Sequence, residues 1–509
     1  MLIYKHPELT KCDLDTKMNL FKIAALLPIG LTRTVYFTIL VIILVMPSVL
    51  PNIYKNAYGA YVKAEPLSKG PIINDPNLKT ELVAKGLNFP TSMAFLGPND
   101  ILVLEKNEGT VKRVIDGKII SKPLLHVNVG KQVEWGMLGI VVEKQNDNTF
   151  VFLRYTESDD GGGGGSSSNQ NPESMRNRMY RYELVNDKLI NPTLILDLPA
   201  TSPDPKGENN HDGGKILIGP AGDKNIYTAI GDVGGHEGQA QNVKDGDPLD
   251  GTSGILRVDQ NGQPPSDNPF VGVQKGEENG IDNGQQQQQH SPMSDYYYAY
   301  GIRNSFGMDF DPVTGKLWDT ENGPTYGDEI NLVEPGFNSG WIKVMGLSKS
   351  GGDNGDNGGD SNSNHDSNVG NDNGNNNNNN NGLPHGLVTF NGKGIYRDPE
   401  FVWKQPIGPT VLKFLNSDKL GKQYQNTIFV GDVDTGNLYN FKLNPQRTAL
   451  LLDGELADKV ADNPDELSSV IFGKGFGVIT DIQISPDDGY MYILNYAGTI
   501  YRIVPSSSS

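Results

Sequence analysis

The stretch from residue 210 to 232 reads NHDGGKILIGPAGDKNIYTAIGD, and it predicts the fold around it. His211 lies on a polar loop ahead of an apolar segment (216–218), a Gly/Pro/Asp turn and a second apolar segment (226–230). Loops next to strands of a β scaffold commonly carry binding residues, and a neutral imidazole is an effective base near pH 7. His211 is therefore our leading catalytic candidate. The alternative is a loop histidine that only makes a hydrogen bond.

The same strand–turn–strand pattern recurs along the chain. The other five occurrences are 93–104, 138–153, 307–318, 411–431 and 481–494. Six degenerate repeats of this kind predict an all-β fold, a six-bladed β-propeller. No long segment of the soluble part has apolar residues at helical spacing, which disfavours an α/β fold. An array of two-sheet sandwiches is the remaining alternative.

Length, charge and cysteine content narrow the class of protein. A propeller spreads its core over many small sheets, so one domain from 77 to 506 accommodates most of the 509 residues. With 43 Lys and Arg against 61 Asp and Glu, the net charge of −18 repels nucleic acids and anionic membranes. The single cysteine, Cys12, precedes the predicted domain, so the domain contains no disulfide.

The N-terminal part differs from the rest of the chain. A basic region (1–34) precedes an apolar run (35–50, VYFTILVIILVMPSVL), and a linker follows (51–76). Basic residues before an apolar run direct the following chain out of the cytoplasm. The apolar run reads equally as a signal peptide, with a small-residue cleavage site near 57–59, and as a membrane anchor. We expect the propeller to be secreted or anchored to the outer face of the cytoplasmic membrane.

Three low-complexity insertions interrupt the predicted domain at 158–171, 283–290 and 349–382. They are rich in Gly, Ser, Gln, Asn and Asp, and such compositions bury too little apolar surface to offset the entropy lost on ordering. We predict disordered surface loops between strands. The last insertion lacks the regular spacing of a calcium-binding repeat.

Several motifs occur in an order that identifies a family. They are Glu134-Trp135-Gly136-Met137-Leu138-Gly139, Asn210-His211-Asp212-Gly213-Gly214, Gly254-Ile255-Leu256-Arg257-Val258-Asp259 with Asp267-Asn268-Pro269-Phe270, Tyr300-Gly301-Ile302-Arg303-Asn304-Ser305-Phe306-Gly307, Glu321-Asn322-Gly323-Pro324 with Asp328-Glu329-Ile330-Asn331, Asn338-Ser339-Gly340-Trp341, and Trp403 with Ile407-Gly408-Pro409-Thr410. In this order they resemble the soluble glucose/sorbosone (aldose sugar) dehydrogenases, six-bladed propellers that use pyrroloquinoline quinone (PQQ) and calcium. The resemblance covers roughly residues 82 to 504.

The resemblance implies a reaction and its residues. It implies oxidation of the anomeric hydroxyl of an aldose by hydride transfer to PQQ, with electrons passed on to an unidentified acceptor. His211 is then the general base, and the Arg303 guanidinium stabilises charge that develops on the quinone. The residues implied to bind the cofactor are Glu134, His211, Arg303 and Asn304. The alternative for Arg303 is a loop arginine that pairs with a carboxylate.

The resemblance also implies a calcium site. The backbone carbonyls of Gly323 and Pro324 are the implied ligands, since calcium prefers hard oxygen donors. Asp328 and Glu329 are candidates to orient this loop or to bind a further ion. The alternative for these two acids is a solvated pair ahead of a strand.

The sequence departs from the family at the cofactor's carboxylates. Family members hold them with a Lys and an Arg-x-Arg-Asp motif, whereas the corresponding positions here are Asp434, Val478 and Thr480. Each lost charge-assisted hydrogen bond weakens binding by about 1.5 to 3 kcal/mol. Lys404, Lys413 and Lys474 are candidates to replace the missing positive charge.

Three functional classes follow from these observations. The first is a quinone-dependent sugar or alcohol dehydrogenase, favoured by the retained His211, Arg303 and Gly323-Pro324. The second is a calcium-dependent propeller hydrolase resembling a lactonase, which acts without quinone. The third is a noncatalytic sugar- or protein-binding propeller, favoured by the loss of the basic positions.

Overall fold

The computed structural model describes residues 69–132, 134–158, 172–202, 210–220, 222–234, 240–242, 249–273, 292–348, 384 and 386–506. The predicted basic region, the apolar run and the linker up to residue 68 lie outside the described residues. So do the three predicted insertions, apart from Ser158, which ends a strand.

Twenty-nine strands make up nearly all of the regular structure in the described part of the chain. The first fifteen are β1 (Ile72–Ile73), β2 (Leu78–Lys85), β3 (Pro90–Gly97), β4 (Asp100–Glu105), β5 (Thr110–Ile115), β6 (Lys118–Ile119), β7 (Leu125–His126), β8 (Met137–Gln145), β9 (Asn148–Ser158), β10 (Met175–Val185), β11 (Lys188–Pro199), β12 (Ile216–Ile218), β13 (Ile226–Ile230), β14 (Gly254–Val258) and β15 (Tyr297–Tyr300).

The remaining strands are β16 (Ser305–Phe310), β17 (Leu317–Glu321), β18 (Asp328–Val333), β19 (Phe337–Asn338), β20 (Ile395–Tyr396), β21 (Phe401–Trp403), β22 (Pro409–Phe414), β23 (Ile428–Asp432), β24 (Leu438–Phe441), β25 (Val460–Ala461), β26 (Ile471–Lys474), β27 (Ile479–Ile484), β28 (Met491–Asn495) and β29 (Thr499–Pro505). Short 3-10 helices occur at Pro172–Ser174, Pro292–Tyr296, Gly454–Asp458 and Pro464–Ser469. No helix among the described residues is long and apolar enough to cross a membrane.

The strands form six sheets. Sheet 1 contains β3 to β7, sheet 2 contains β8 to β11, and sheet 3 has the order β12-β13-β14-β15-β19-β20. Sheet 4 has the order β16-β17-β18-β21-β25, sheet 5 the order β22-β23-β24-β26-β1, and sheet 6 the order β27-β28-β29-β2. Each of the six predicted repeats supplies the first two antiparallel strands of a different sheet, so the repeat pattern is confirmed.

The apolar core lies between the sheets. Buried apolar clusters join sheets 1 and 2, 2 and 3, 3 and 4, 4 and 5, and 5 and 6. A further cluster, which includes Met93, Ile101, Tyr492 and Leu494, joins sheet 6 back to sheet 1. Sheets that pack face to face in a closed circle form an all-β propeller.

Strands from the two ends of the domain close this circle. β2 pairs antiparallel with β29 and completes sheet 6, and β1 pairs with β26 at the edge of sheet 5. Ile73 is buried, whereas the adjacent Ile72 is 61% exposed, as expected for alternating residues of a strand. The first paired strand therefore begins at Ile72, ahead of the predicted domain start at 77.

Candidate active site

The loops ahead of the first strands of sheets 2, 3 and 4 converge at one end of the propeller. Glu134 precedes β8, and its Oε2 accepts a hydrogen bond from the Asp212 backbone N–H ahead of β12, at 2.8 Å. Its Oε1 accepts from Asn304 Nδ2 ahead of β16, at 3.2 Å. One carboxylate thus joins the loops of three sheets beside His211, and it brings together the three segments that carry the four predicted cofactor-binding residues.

His211 is buried and bound to a carboxylate. Its Nδ1 lies 2.6 Å from Asp232 Oδ1, because the β12–β13 hairpin returns the chain to the end at which His211 lies. A carboxylate oxygen only accepts, so the neutral imidazole carries its proton on Nδ1. The lone pair is then on Nε2, which is the arrangement needed for a general base.

Two buried groups hold the loop of His211 in place. Arg154 donates from Nη2 to the Asp212 carbonyl at 2.8 Å and from Nη1 to Thr228 Oγ1 at 2.8 Å. Asn177 Nδ2 donates to Asp212 Oδ1 at 2.6 Å. Burial, followed by the charge of Glu134, raises the pKa of Asp212. These contacts fix a loop in which His211 adopts a left-handed backbone with φ of 61°.

Trp341 links the imidazole pair to Arg303. The Trp341 indole Nε1 donates to Asp232 Oδ2 at 2.9 Å, and the Arg303 guanidinium carbon lies 5.5 Å from the centroid of the same indole ring. Trp341 itself is buried. The two predicted catalytic side chains, His211 and Arg303, are therefore connected through Asp232 and Trp341. Asp232 ends the 210–232 stretch and Trp341 ends the motif at 338–341, but the sequence predicts a role for neither residue.

The position of Asp232 was accessible from sequence. It follows the second strand of the hairpin that His211 precedes, and an antiparallel hairpin places both ends together. No local sequence pattern relates Trp341 to Asp232, because Trp341 lies 109 positions further along the chain, in the loop after β19.

The loop after β17 carries the predicted calcium ligands. Arg303 Nη1 donates to the carbonyls of Asn322, at 2.8 Å, and Gly323, at 2.9 Å. Asp328 Oδ1 accepts from the Gly323 N–H at 2.8 Å, and its Oδ2 accepts from the N–H groups of Ile407 and Gly408. The Asp328 carboxylate is therefore buried and bonded to the backbone of this loop. Pro324 is exposed.

Glu329 lies on the opposite face of β18 and does not join this loop. The Glu329 Oε1 accepts a hydrogen bond from the Gly346 N–H at 2.5 Å. The strand register places Glu329 opposite Glu321 of β17, and Asp319 lies two residues before Glu321 on the same strand. All three acids are fully buried. Burial raises the pKa of Asp319 to about 7, and burial together with a neighbouring acid raises the pKa of Glu321 and Glu329. Among the described residues, no three His, Cys, Asp or Glu side chains are grouped so as to hold a metal ion.

The positions that depart from the family lie at the same end of the molecule. The Asp434 N–H donates to the Ile407 carbonyl, next to Asp328, and burial followed by the charge of Asp328 raises the Asp434 pKa to about 6. Thr480 and Val478 are half-buried at the start of β27.

The lysines considered as replacements are engaged or exposed. Lys404 pairs with Asp462 at 2.9 Å on the surface, and Lys413 pairs with Asp309 at 3.1 Å. Lys474 is exposed on β26. We therefore find no support for compensation by Lys404 or Lys413.

Comparison with known proteins gives the family. The family model described as glucose/sorbosone dehydrogenase matches residues 87–370, more than half of the 509-residue chain. The chain belongs to this family. It is 24% identical over 439 residues to an aldose sugar dehydrogenase of Escherichia coli, covering 84% of this chain and 93% of that protein. It is 28% identical over 294 residues to quinoprotein glucose dehydrogenase B of Acinetobacter calcoaceticus, covering 54% of this chain and 55% of that protein.

Solved structures of similar proteins share the fold of this family member. The PQQ-bound aldose sugar dehydrogenase of Streptomyces coelicolor superposes with a TM-score of 0.55 at 20% identity, covering 86% of this chain and all of that one. The apo form of the soluble Escherichia coli aldose sugar dehydrogenase gives a TM-score of 0.56 at 21% identity, covering 84% of this chain and all of that one.

Proposed function

We propose that this protein is an extracytoplasmic quinoprotein dehydrogenase that oxidises the anomeric hydroxyl of aldose sugars, with His211 as the general base. The observation that carries the proposal is the connected set His211, Asp232, Trp341 and Arg303. An imidazole held by a carboxylate and a guanidinium at one end of a glucose/sorbosone dehydrogenase propeller support the proposal. We also propose that each of the six sheets is one blade, and that residues 77–506 make up the domain together with the strand at Ile72.

The quinone end of the cofactor fits the residues present. The amide oxygens Asn304 Oδ1 and Asn322 Oδ1 are buried without a hydrogen-bond partner; Asn304 is adjacent to Arg303 in sequence, and Arg303 donates to the Asn322 backbone carbonyl. Buried acceptors of this kind are costly unless a donor or cation from a ligand satisfies them. Arg303, Asn304, Glu134 and His211 are therefore the residues that we propose to hold PQQ.

The residues present would hold the carboxylate end of the cofactor less well than the basic residues that the resemblance implies. Asp434 supplies negative charge where the resemblance implies a lysine, and Val478 and Thr480 supply no charge. We expect PQQ to bind more weakly than it would with three basic residues in these positions, by several powers of ten.

Each residue of the site has a role that follows from its contacts. PQQ, when bound, supplies the ortho-quinone that accepts the hydride. Nε2 of His211 takes the proton from the anomeric hydroxyl of the sugar, and Asp232 stabilises the resulting imidazolium through Nδ1. The Arg303 guanidinium provides fixed positive charge beside the site.

Calcium is the second proposed cofactor, with the carbonyls of Gly323 and Pro324 as its ligands. The Gly323 carbonyl accepts a hydrogen bond from Arg303, and a carbonyl oxygen has a second lone pair that would be open to calcium. Asp328 holds the Gly323 N–H.

The sequence supports the proposed location. The basic region and apolar run at 1–50 support export, either with a cleaved signal or with an anchor in the cytoplasmic membrane. The electrons are passed to an acceptor in the membrane or outside the cell.

Replacing the proposed base tests the reaction. We predict that His211→Gln lowers aldose-dependent dye reduction by at least about a hundredfold, since general base catalysis contributes that much. PQQ binding, followed by its absorbance, should stay close to wild type. His126→Gln is the matched control, because His126 is the other described histidine and is exposed on β7. Full activity of His211→Gln would rule out this histidine as the base.

One observation favours a second candidate function. An acid at Asp434 and uncharged residues at Val478 and Thr480 are expected of a propeller that has lost its cofactor and retains only sugar binding. Such a protein would bind an aldose without reducing any dye, with or without PQQ.

A further inference from the structure

An exposed aromatic pair lies at the active end of the propeller. Phe89 directly precedes β3, and Tyr496 directly follows β28. Their ring centroids lie 5.1 Å apart with 41° between the planes. Phe89 is 47% exposed, and Tyr496 is half-buried. The pair therefore presents an aromatic surface to solvent.

The position of the pair follows from cross-sheet contacts at the starts of the first strands. Thr91 Oγ1, two residues after Phe89, donates to the Met137 carbonyl at 2.7 Å, where β8 begins. Glu134, three residues before Met137, contacts the His211 loop. On the other side, the Tyr496 N–H donates to the Val478 carbonyl at 2.9 Å. The pair thus lies between the sheets that carry Glu134 and Val478.

The backbone of Phe89 is unusual for its residue type. Its φ is 47°, in the left-handed region that a bulky side chain rarely adopts. Pro90 follows it, and the residue before a proline normally adopts extended backbone. Local bonds hold this conformation, since the Phe89 carbonyl accepts from the Lys106 N–H at 3.1 Å and the Asn88 N–H donates to Glu105 at 2.9 Å. Strained backbone of this kind clusters at ligand-binding positions.

We propose that Phe89 and Tyr496 form a stacking subsite for the sugar ring of the substrate. A pyranose presents one face of C–H groups to an aromatic ring and keeps its hydroxyl groups for polar partners. The net charge of −18 and the nearby acids Glu105 and Glu108 disfavour an anionic ligand, whereas an aldose is neutral. The subsite rests on the proposed function in that it names how the same site takes its substrate.

The subsite is tested with Phe89→Asn in the full chain. Asn tolerates left-handed backbone, so the variant should melt at the same temperature as wild type or higher while it lacks the ring. We expect the dissociation constant for glucose to rise about fivefold, which corresponds to the roughly 1 kcal/mol that an aromatic contact of this kind contributes. Saturation-transfer NMR from the aromatic protons to glucose, with and without PQQ and calcium, measures this binding without turnover.

The controls separate stacking from general loss of apolar surface. Phe89→Leu keeps the apolar volume and lacks a ring face, so it should also weaken glucose binding. Leu194→Ala, at an equally exposed position (47%) on β11, should leave it unchanged. Glucose binding that is unchanged in Phe89→Asn, or absent in wild type, would overturn the subsite. Binding that depends on Phe89 without any dye reduction would support the subsite and contradict the dehydrogenase.

Discussion

At the scale of single residues, the chemistry of the site depends on how the partners of His211 are ordered. Asp232 accepts from the imidazole with one oxygen and from the Trp341 indole with the other. The indole ring in turn contacts the Arg303 guanidinium. A substitution of Trp341 therefore changes the surroundings of both His211 and Arg303 without replacing either residue.

We predict that Trp341→Phe slows turnover by about tenfold to a hundredfold. The ring beneath Arg303 is retained, but Asp232 loses a hydrogen bond of about 1.5 to 3 kcal/mol. With one donor fewer, the carboxylate holds the His211 proton more strongly, so the acidic limb of the pH–rate profile should move to higher pH. Steady-state kinetics between pH 5 and 9 measure both effects.

Trp318→Phe is the matched control for this prediction. Trp318 is fully buried, and its indole Nε1 has no hydrogen-bond partner, so the same change removes no donor from the site. A pH–rate profile of Trp341→Phe that coincides with those of wild type and Trp318→Phe would show that the indole does not position Asp232.

Only part of the site could be predicted from the sequence. His211, Arg303, Asn304 and Glu134 stand in motifs that the resemblance interprets, and the structure brings them together. Glu329 stands in an equally clear motif next to Asp328. Because successive strand residues face opposite sides, its side chain lies on the other face of sheet 4 from Asp328, beside Glu321. Motif membership alone does not show on which face of a strand a side chain lies.

At the scale of elements, the six hairpins were predictable because alternation of apolar residues and turn residues between strands are local signals. The short outer strands were not. β19, β20 and β25 contain two residues each and pair with partners far along the chain, so no local periodicity marks them.

Sheet 4 contains buried acids whose protonation affects stability. Burial raises the pKa of Asp319 to about 7, so the folded protein keeps this proton where the unfolded chain has lost it. The stabilising contribution is present below about pH 4 and is lost as the pH rises to about 7. We predict that wild type loses stability relative to Asp319→Asn over this range, on the order of 1 kcal/mol per pH unit.

Thermal melts of both proteins between pH 4 and 8 measure this difference. Glu334→Gln, which removes a half-exposed acid on the surface next to β18, is the control and should follow wild type. A constant difference between wild type and Asp319→Asn across the range would mean that Asp319 ionises alike in the folded and unfolded chains.

At the scale of the whole molecule, closure of the circle was beyond sequence reasoning. The pairing of β2 with β29 joins residues more than 400 positions apart, and neither strand carries a mark of its partner. The same applies to β1, which we predicted to be part of a linker and which pairs with β26.

Removal of β1 tests the contribution of its pairing with β26. We predict that a chain beginning at Asn77 melts a few degrees below a chain beginning at Lys69, because burial of Ile73 contributes about 2 kcal/mol. Ile73→Ala should lower the melting temperature in the longer chain, and Ile72→Ala, at an exposed position of the same strand, should not. Equal melting temperatures of the two chains would mean that β1 does not stabilise the propeller.

The central claim is tested most directly by titrating the full chain with PQQ and calcium while following cofactor absorbance and aldose-dependent dye reduction. We predict saturable binding together with sugar-dependent reduction, and tighter binding by Asp434→Lys, which replaces a repelling charge with an attracting one. Absence of PQQ binding in the presence of calcium, even at the highest soluble PQQ concentration, with no dye reduction on addition of an aldose, would contradict the proposed dehydrogenase.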